Sequence, residues 1–367
     1  IAPCFRDEDA RADRSPGEFY QLDFEMAFAT QEDVFEVAEE VLFDTSSTFS
    51  EKAVSPPPFR RIPYAESMLK YGTDKPDLRN PLIIEDLTDF FTDVDFAPFK
   101  KKPVRGIVAP ACACMPKSFF EKMLEFATAI GMKGLGYISV LKNGELKGPI
   151  VKFLSEEKQK SLCETLSLKE DDTLFFISDS KALVDKLAGL IRGELGARLG
   201  RIDDTKFEFC FITDFPMYGT NEITGNVEFT HNPFSMPQGE MEALMNKNPL
   251  DVLAYQYDIV CNGVELSSGA VRNHRPDIML KAFEIAGYTK QDIEQRFSAL
   301  YNAFHYGAPP HAGMAPGLDR IVMLLAGLDN IREVVAFPMN GNAQDLLLGA
   351  PGAVSEQQLR EAHIKIR

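Results

Sequence analysis

The sequence predicts an α+β fold in which two strand-rich regions flank a smaller inserted module. Alternating polar and apolar residues predict strands near both ends of the chain, and strand-like and helical runs alternate between about residues 95 and 205. No internal repeat divides the 367 residues. We therefore expect residues 1–94 and 206–367 to form one larger domain, with residues 95–205 inserted between its two parts.

The first part of the chain begins with two predicted strands, residues 1–8 and 19–29. The second alternates, with Phe19, Gln21, Asp23 and Glu25 on one side, and the polar linker before it is typical of a hairpin loop. Helical periodicity follows over residues 31–43. A short helix near 63–71 then leads into a charged loop, residues 72–79.

The remaining elements are predicted from the same periodicities. In the module, we expect strands at 104–109, 135–141 and 173–177, and helices near 116–130 and 181–199. After residue 206, the pattern predicts strands over 207–213, 226–230 and 257–266, the last with a turn at Gly263. Helices follow over 276–287, 290–304 and, as the last one, 318–327.

The composition is typical of a globular protein, with 45% hydrophobic and 26% charged residues, and this excludes disorder as the main state. Lys and Arg number 39 against 55 Asp and Glu, a formal net charge of −16, so any contact with nucleic acid must use local basic patches. No apolar run is long enough to predict a membrane helix. We expect a cytoplasmic protein whose six cysteines are reduced.

Two clusters combine arginines with acidic side chains. Arg6 ends a predicted strand, where its planar guanidinium could bind a phosphate, although a solvated salt-bridge loop is the alternative. Arg320 lies in the first turn of a predicted helix. It would oppose the helix dipole there unless an anion such as a triphosphate lies beside it. Neither a P-loop nor a dinucleotide-binding glycine pattern is present.

A third cluster surrounds Glu265. A carboxylate with a nearby hydroxyl suits Mg²⁺, which binds few protein oxygens and keeps several waters. Strict alternation places Ser268 on the opposite face of the strand from Glu265 unless a β-bulge intervenes. Arg272 could hold a carboxylate with two hydrogen bonds, and a polar strand end is the alternative. A fourth cluster contains His231, although a single histidine is more often structural than catalytic.

Six segments stand in order along the chain: RDEDARADRSPGEFYQLDFEM, YGTDKPDLR, DFPM, THNPFS, NGVELSSGAVR and GAPPHAGMAPGLDR. Together they resemble the bacterial-type aspartyl-tRNA synthetases of class II. Residues 5–8 followed by residues 19–23 resemble motif 2, and Gly317 to Arg320 with the helix that follows resembles motif 3. The module resembles the GAD insertion domain of that family. The resemblance implies an antiparallel sheet flanked by helices.

The resemblance also implies site residues. Arg6, Glu265 and Arg320 would be catalytic, and Glu265 and Ser268 would bind Mg²⁺. The residues implied for ATP are Arg6, Asp7, Glu8, Ser15, Phe19, Glu265, Gly317, Leu318, Asp319 and Arg320. Those implied for L-aspartate are Arg6, Asp23, Lys75, Asp77, His231 and Arg272.

Individual roles follow from the same resemblance. Arg6 would bridge the ATP α-phosphate and the aspartate α-carboxylate, and Phe19 would stack on adenine, whose amino group Glu8 would read. Asp23 would hold the substrate ammonium, and Arg272 its side-chain carboxylate. Arg320 would clamp the γ-phosphate. Lys75 and Asp77 would belong to a mobile loop that closes over aspartate, and His231 would line the same pocket.

The function implied is ATP-dependent activation of L-aspartate to aspartyl-adenylate and its transfer to tRNA-Asp, with tRNA-Asn as a second candidate acceptor. An asparaginyl-type synthetase and a non-catalytic paralogue are the alternatives. The GAD-like insertion and Arg272 argue against the first, and the presence of Arg6, Glu265, Arg272 and Arg320 argues against the second. The family is homodimeric and carries further N-terminal segments. We therefore expect an N-terminally incomplete chain that is weakly active or inactive by itself, and no membrane partner.

Overall fold

A computed structural model describes residues 1–6, 10–14 and 17–366. Its strands, in chain order, are β1 (Ala2–Arg6), β2 (Gly17–Gln21), β3 (Phe24–Ala27), β4 (Ala53–Val54), β5 (Arg60–Pro63), β6 (Ile84–Asp86), β7 (Val104–Ala109), β8 (Gly136–Val140), β9 (Leu146–Lys147), β10 (Thr173–Ser178), β11 (Lys206–Phe207), β12 (Phe209–Thr213), β13 (Phe215–Pro216), β14 (Tyr218–Thr220), β15 (Val227–Phe229), β16 (Leu253–Ala254), β17 (Gln256–Cys261), β18 (Val264–Val271) and β19 (His311–Met314).

The α-helices are α1 (Gln31–Phe49), α2 (Tyr64–Tyr71), α3 (Lys117–Ala129), α4 (Glu156–Thr165), α5 (Val184–Arg198), α6 (Glu240–Asn246), α7 (Pro276–Ile285), α8 (Lys290–Arg296), α9 (Ser298–Phe304), α10 (Leu318–Leu325) and α11 (Glu356–Glu361). Short 3₁₀ helices lie at Val151–Phe153, Pro249–Asp251 and Ile331–Glu333. Within the described ranges, every helix is too short or too polar to cross a bilayer.

The main sheet has six strands in the order β3-β19-β18-β17-β12-β5. Neighbouring strands are antiparallel, except for the parallel pair β5–β12. Helices α1 and α10 pack on one face, where the ring of Phe35 stacks on Phe211 with centroids 3.9 Å apart. Helix α2 covers the other face through Tyr71. The predicted antiparallel sheet flanked by helices is confirmed.

The predicted strand over residues 19–29 is divided in the structure. Its first half, β2, pairs with β1 in a two-stranded ribbon and forms one bridge from Gln21 to Gly317, whereas its second half, β3, is an edge strand of the main sheet. The backbone N–H of Leu22 donates to the Pro316 carbonyl oxygen at the break. The ribbon therefore projects from the main sheet and carries Arg6 and Phe19.

The module has its own five-stranded sheet in the order β6-β7-β10-β8-β9, and helices α3 and α5 pack on one of its faces. Strand β6 pairs with β7 from Ile84 to Asp86. The module's sheet thus begins before residue 95, where we had placed its boundary. Helix α5 also packs against α2 of the larger domain.

Several predicted strand and helix boundaries were wrong. The turn predicted at Gly263 is confirmed, since Asn262 and Gly263 both have positive φ between β17 and β18, but β18 continues to Val271, beyond the predicted end at residue 266. The helix over 290–304 is two helices separated at Phe297. Helix α10 is not the last helix, since α11 follows with a capping box between Ser355 and Gln358.

Candidate active site

A cavity of about 270 Å³ lies where the ribbon, β18 and the start of α10 meet. It brings together eight of the predicted residues. Further polar residues also line it, among them Asp13, Arg14, Gln21, Asn232 and Gln256. The predicted residues that line the cavity are Arg6, Phe19, Glu265, Ser268, Arg272, Gly317, Asp319 and Arg320.

A β-bulge in β18 brings Ser268 and Glu265 together. Ile259 of β17 faces Ser267 and Val260 faces Glu265, so Leu266 is the extra residue in β18. The Ser268 hydroxyl donates to Glu265 Oε1 at 3.2 Å. Without the bulge, strand alternation would have placed these two side chains on opposite faces of the sheet.

Asp258 is a second acid beside Glu265. It faces Ser268 across the β17–β18 pair and is almost fully buried. Its Oδ1 has no hydrogen-bond partner among the residues that the structure describes. Burial and the neighbouring charge of Glu265 raise the pKa of Asp258 to about 7. We did not predict this residue, although an acid inside the apolar run of β17 was a visible signal.

Lys75 reaches the same carboxylate from the loop after α2. Its Nζ lies 3.1 Å from Glu265 Oε2 and 2.7 Å from Asp74 Oδ2. Burial alone would raise the pKa of Glu265, but the positive charges of Lys75 and Arg320 lower it below its usual value. Glu265 is therefore an anion at neutral pH, with one oxygen next to the Lys75 ammonium.

Arg320 connects the start of α10 to Glu265 and to the loop after β1. Its Nη1 donates to the Glu265 carbonyl oxygen at 2.6 Å, and its Nε donates to the Asp13 carbonyl oxygen at 3.1 Å. Asp319 accepts from the backbone N–H of Tyr20 at 3.0 Å, which joins α10 to the ribbon. These contacts fix a guanidinium on the cavity wall at a helix N-terminus.

Arg272 follows β18 and is held by an acid from β3. Its Nε donates to both carboxylate oxygens of Glu25, at 3.0 and 3.2 Å, and its Nη2 also donates to Glu25. Strand alternation had placed Glu25 on the side of Phe19, but we had not assigned it a role. On the ribbon, the Arg6 guanidinium lies 5.1 Å from the centroid of the Phe19 ring.

A family model for class II tRNA synthetases (D, K and N) matches residues 1–341. The chain belongs to this family. The aspartate–tRNA(Asp/Asn) ligases of Rickettsia akari, Rickettsia felis and Rickettsia bellii are 57%, 56% and 55% identical to it over its whole length. The chain spans 62% of the length of each of these curated relatives.

A solved structure, the aspartyl tRNA synthetase from Entamoeba histolytica, is 17% identical to this class II synthetase chain and has a TM-score of 0.41. That likeness covers 92% of this chain and 46% of the other.

Five predicted site residues of this class II chain do not line the cavity, and Lys75, which reaches it only through its contact with Glu265, is one of them. Asp77 accepts from Nε and Nη2 of Arg79, at 3.0 and 2.8 Å, so its carboxylate is directed away from the cavity. Asp23 is exposed between β2 and β3, and Leu318 contributes no lining surface. His231 packs its ring edge against Phe215, with centroids 4.8 Å apart, and desolvation lowers the pKa of its imidazole.

Three more predicted ATP-binding residues of this synthetase chain, Asp7, Glu8 and Ser15, lie outside the described residues. Asn232, next to His231, does line the cavity, and its backbone N–H donates to Gln256 at 3.3 Å. In the segment THNPFS, the cavity wall is therefore formed by the asparagine and not by the predicted histidine.

Proposed function

We propose that this chain contains the amino-acid activation site of an aspartyl-tRNA synthetase. The site would form aspartyl-adenylate from L-aspartate and ATP and transfer the aspartyl group to tRNA-Asp, with tRNA-Asn as a second acceptor. The observation that carries the proposal is the convergence of Arg6, Glu265, Arg272 and Arg320 on one cavity. The names of the Rickettsia relatives support the same reaction.

Activation requires little from the protein beyond positioning and neutralisation of charge. The substrate α-carboxylate attacks the α-phosphorus of ATP and pyrophosphate leaves, so no protein nucleophile is required. Arg6 would bind the α-phosphate beside the attacking carboxylate, and Arg320 would bind the γ-phosphate at the start of α10. Phe19, which lines the cavity with the Arg6 guanidinium over its ring, would stack on adenine.

The donors around Glu265 fit a magnesium ion. Asp258 has a buried oxygen without a partner among the described residues, and Glu265 and Ser268 add a carboxylate and a hydroxyl. The described part of the chain has no cluster of three or more His, Cys, Asp or Glu suited to a metal. Mg²⁺ binds through one or two carboxylates together with phosphates and waters. When bound, the ion would neutralise the triphosphate charge.

Selection of aspartate would depend on Arg272. Glu25 holds Nε and Nη2 of this guanidinium, which fixes its plane at the cavity wall. A substrate carboxylate can accept two hydrogen bonds from a guanidinium, whereas the amide of asparagine replaces one acceptor with a donor. The mismatch should cost asparagine a few kcal/mol relative to aspartate.

Partners and location belong to the same proposal. The terminal ribose hydroxyl of the tRNA would attack the adenylate, and the loop with Arg11 and Arg14, which pair through their backbones, lies beside the cavity. We also propose a homodimeric, cytoplasmic protein and a GAD-like insertion domain. Asp23, Asp77 and His231 would then act only after the loops around the site rearrange.

ATP–pyrophosphate exchange with a panel of amino acids tests the proposal, in the protein that carries this chain at its natural length. We expect exchange with aspartate and at least about a hundredfold less with asparagine. Arg272→Gln should abolish this preference, whereas Arg275→Gln should preserve it, because Arg275 pairs with Glu240 and Asp277 outside the cavity. Exchange with asparagine alone would support the asparaginyl alternative, and no exchange with any amino acid would support a non-catalytic paralogue.

A further inference from the structure

The inserted module forms direct hydrogen bonds with the loop that carries Lys75. We call residues 72–82, between α2 and β6, the Lys75 loop. This loop lies between the larger domain and helix α5 of the module, and three of its carbonyl groups accept hydrogen bonds from one side chain of that helix. The side chain is Arg192.

Arg192 is a buried arginine whose partners are backbone carbonyls. Its Nε donates to the Leu82 carbonyl oxygen at 2.6 Å, and its Nη2 donates to the carbonyl oxygens of Asn80 and Asp77 at 2.7 and 3.0 Å. Only 3% of the residue is exposed. A planar guanidinium can hold three carbonyls at fixed angles, which a lysine ammonium on a flexible stem cannot.

The loop and α2 in turn contact Arg192. Asn80 Nδ2 donates to the Arg192 carbonyl oxygen at 2.9 Å, and the Arg192 guanidinium carbon lies 5.0 Å from the centroid of the Tyr71 ring, at the end of α2. The module therefore contacts the last residue of α2 and both Asn80 and Leu82 of the loop.

A second contact between the module and the loop involves two glycines. A Cβ atom added to Gly189 of α5 would lie 2.7 Å from the Gly72 carbonyl oxygen, so only glycine allows this approach. Gly72 has φ +71° and ends α2. The Lys75 loop thus leaves α2 in close contact with the backbone of α5.

We propose that Arg192 is a positioning residue through which the inserted module holds the Lys75 loop, and with it the Lys75 ammonium, against Glu265. Lys75 is three residues from Gly72 and two from Asp77, and both of these residues are held by α5. Its Nζ lies 3.1 Å from Glu265 Oε2. The effect of Arg192 on aspartate kinetics rests on the proposed function, whereas its effect on the position of the loop does not.

The proposal assigns a role to the module at a site that the module does not line. Loosening α5 would let the Lys75 loop move away from the cavity without changing Arg6, Arg272 or Arg320. We therefore expect weaker retention of the amino acid, seen as a higher KM for aspartate, with kcat changed much less.

Hydrogen–deuterium exchange of peptides from residues 72–82, measured without substrates, tests the positioning role. Arg192→Lys removes the planar guanidinium that donates to three carbonyl groups. Gly189→Ala inserts a methyl group against Gly72, although alanine itself favours the α5 helix. Gly193→Ala is the matched control, because Gly193 lies on the same helix and a Cβ atom added there meets nothing within 4 Å. We expect about tenfold faster exchange of the loop in the first two variants and no change in the control.

The same three variants in ATP–pyrophosphate exchange give the kinetic readout. We expect a KM for aspartate about tenfold higher in Arg192→Lys and Gly189→Ala, with kcat within about twofold of the parent protein. Unchanged loop exchange in both variants, or equal acceleration in Gly193→Ala, would overturn the positioning role. Faster loop exchange in a protein that activates no aspartate would support the positioning role and refute the proposed function instead.

Discussion

The guanidinium of Arg272 is held by Glu25, whose two carboxylate oxygens lie 3.0 and 3.2 Å from Arg272 Nε. Glu25 is in β3 and Arg272 directly follows β18, and β19 separates these two strands in the sheet. The contact therefore reaches across β19, the strand between them. It fixes the residue that we propose to select aspartate.

Glu25→Gln should loosen Arg272, because a carboxylate holds a guanidinium through charge-assisted hydrogen bonds that an amide cannot match. We expect the KM for aspartate in pyrophosphate exchange to rise roughly tenfold, the equivalent of about 1.4 kcal/mol. Glu240→Gln, at an exposed partner of Arg275, serves as the control. A lower KM in Glu25→Gln would mean that Glu25 competes with the substrate for Arg272 instead of orienting it.

Lys75→Met should tighten magnesium binding in the absence of nucleotide. The Lys75 ammonium lies 3.1 Å from Glu265 Oε2 and opposes a cation there, so its removal should lower the Kd for Mg²⁺ about fivefold. Calorimetric titration with MgCl₂ measures the change. Lys70→Met provides the control, since Lys70 pairs with Glu66 on α2. A Kd that stays the same or rises would contradict placement of the metal at Glu265.

Asp258→Asn should stabilise the metal-free protein more at high pH than at low pH. Burial raises the pKa of Asp258 to about 7, whereas an unfolded aspartate titrates near about 3.9. Between these values the folded state holds a proton that the unfolded state has lost, so the contribution of Asp258 to stability falls as the pH rises toward 7. Asparagine carries no such penalty.

Thermal unfolding in EDTA measures this effect. The difference in Tm between Asp258→Asn and the parent protein should be roughly 3–5 °C larger at pH 8 than at pH 5. Added Mg²⁺ should raise the Tm of the parent protein and leave the variant nearly unchanged. An equal difference in Tm at both pH values would show that Asp258 is ionised in the folded protein throughout.

Gly313→Ala should destabilise the main sheet by more than about 3 kcal/mol, because overpacking against backbone cannot be relieved by a rotamer change. A Cβ atom at Gly313 would lie 2.1 Å from the Phe24 carbonyl oxygen of the neighbouring strand. Denaturant unfolding gives the free energy. Gly134→Ala is the matched control, as its added Cβ atom meets nothing within 4 Å, and equal stability of the two variants would rule out this close approach.

Gly313 also shows why the sequence pattern did not predict β19. The segment from Gly307 to Gly317 is rich in proline and glycine, which indicates a loop, yet four of its residues form a central strand. The glycine is required by the close packing of the neighbouring strand, not by a turn. Periodicity reports burial and alternation, and it cannot distinguish these two uses of glycine.

The residues that line the candidate site could be predicted where a short motif contains them, but their contacts could not be predicted where they depend on tertiary packing. The motif residues Arg6, Glu265, Arg272 and Arg320 were named from the sequence. The bulge at Leu266, on which the pairing of Ser268 with Glu265 depends, could only be stated as a condition. Contacts such as Glu25 with Arg272 join residues 247 positions apart, and no short-range pattern encodes them.

Binding of a non-hydrolysable aspartyl-adenylate analogue tests most directly whether one cavity holds both the amino acid and the nucleotide. We predict that Arg6→Gln and Arg272→Gln each weaken this binding at least about tenfold, while Arg320→Lys weakens ATP but leaves the analogue nearly unchanged, because the adenylate has lost the γ-phosphate. Equal affinity of the analogue for the parent protein and for the Arg6 and Arg272 variants would contradict the account.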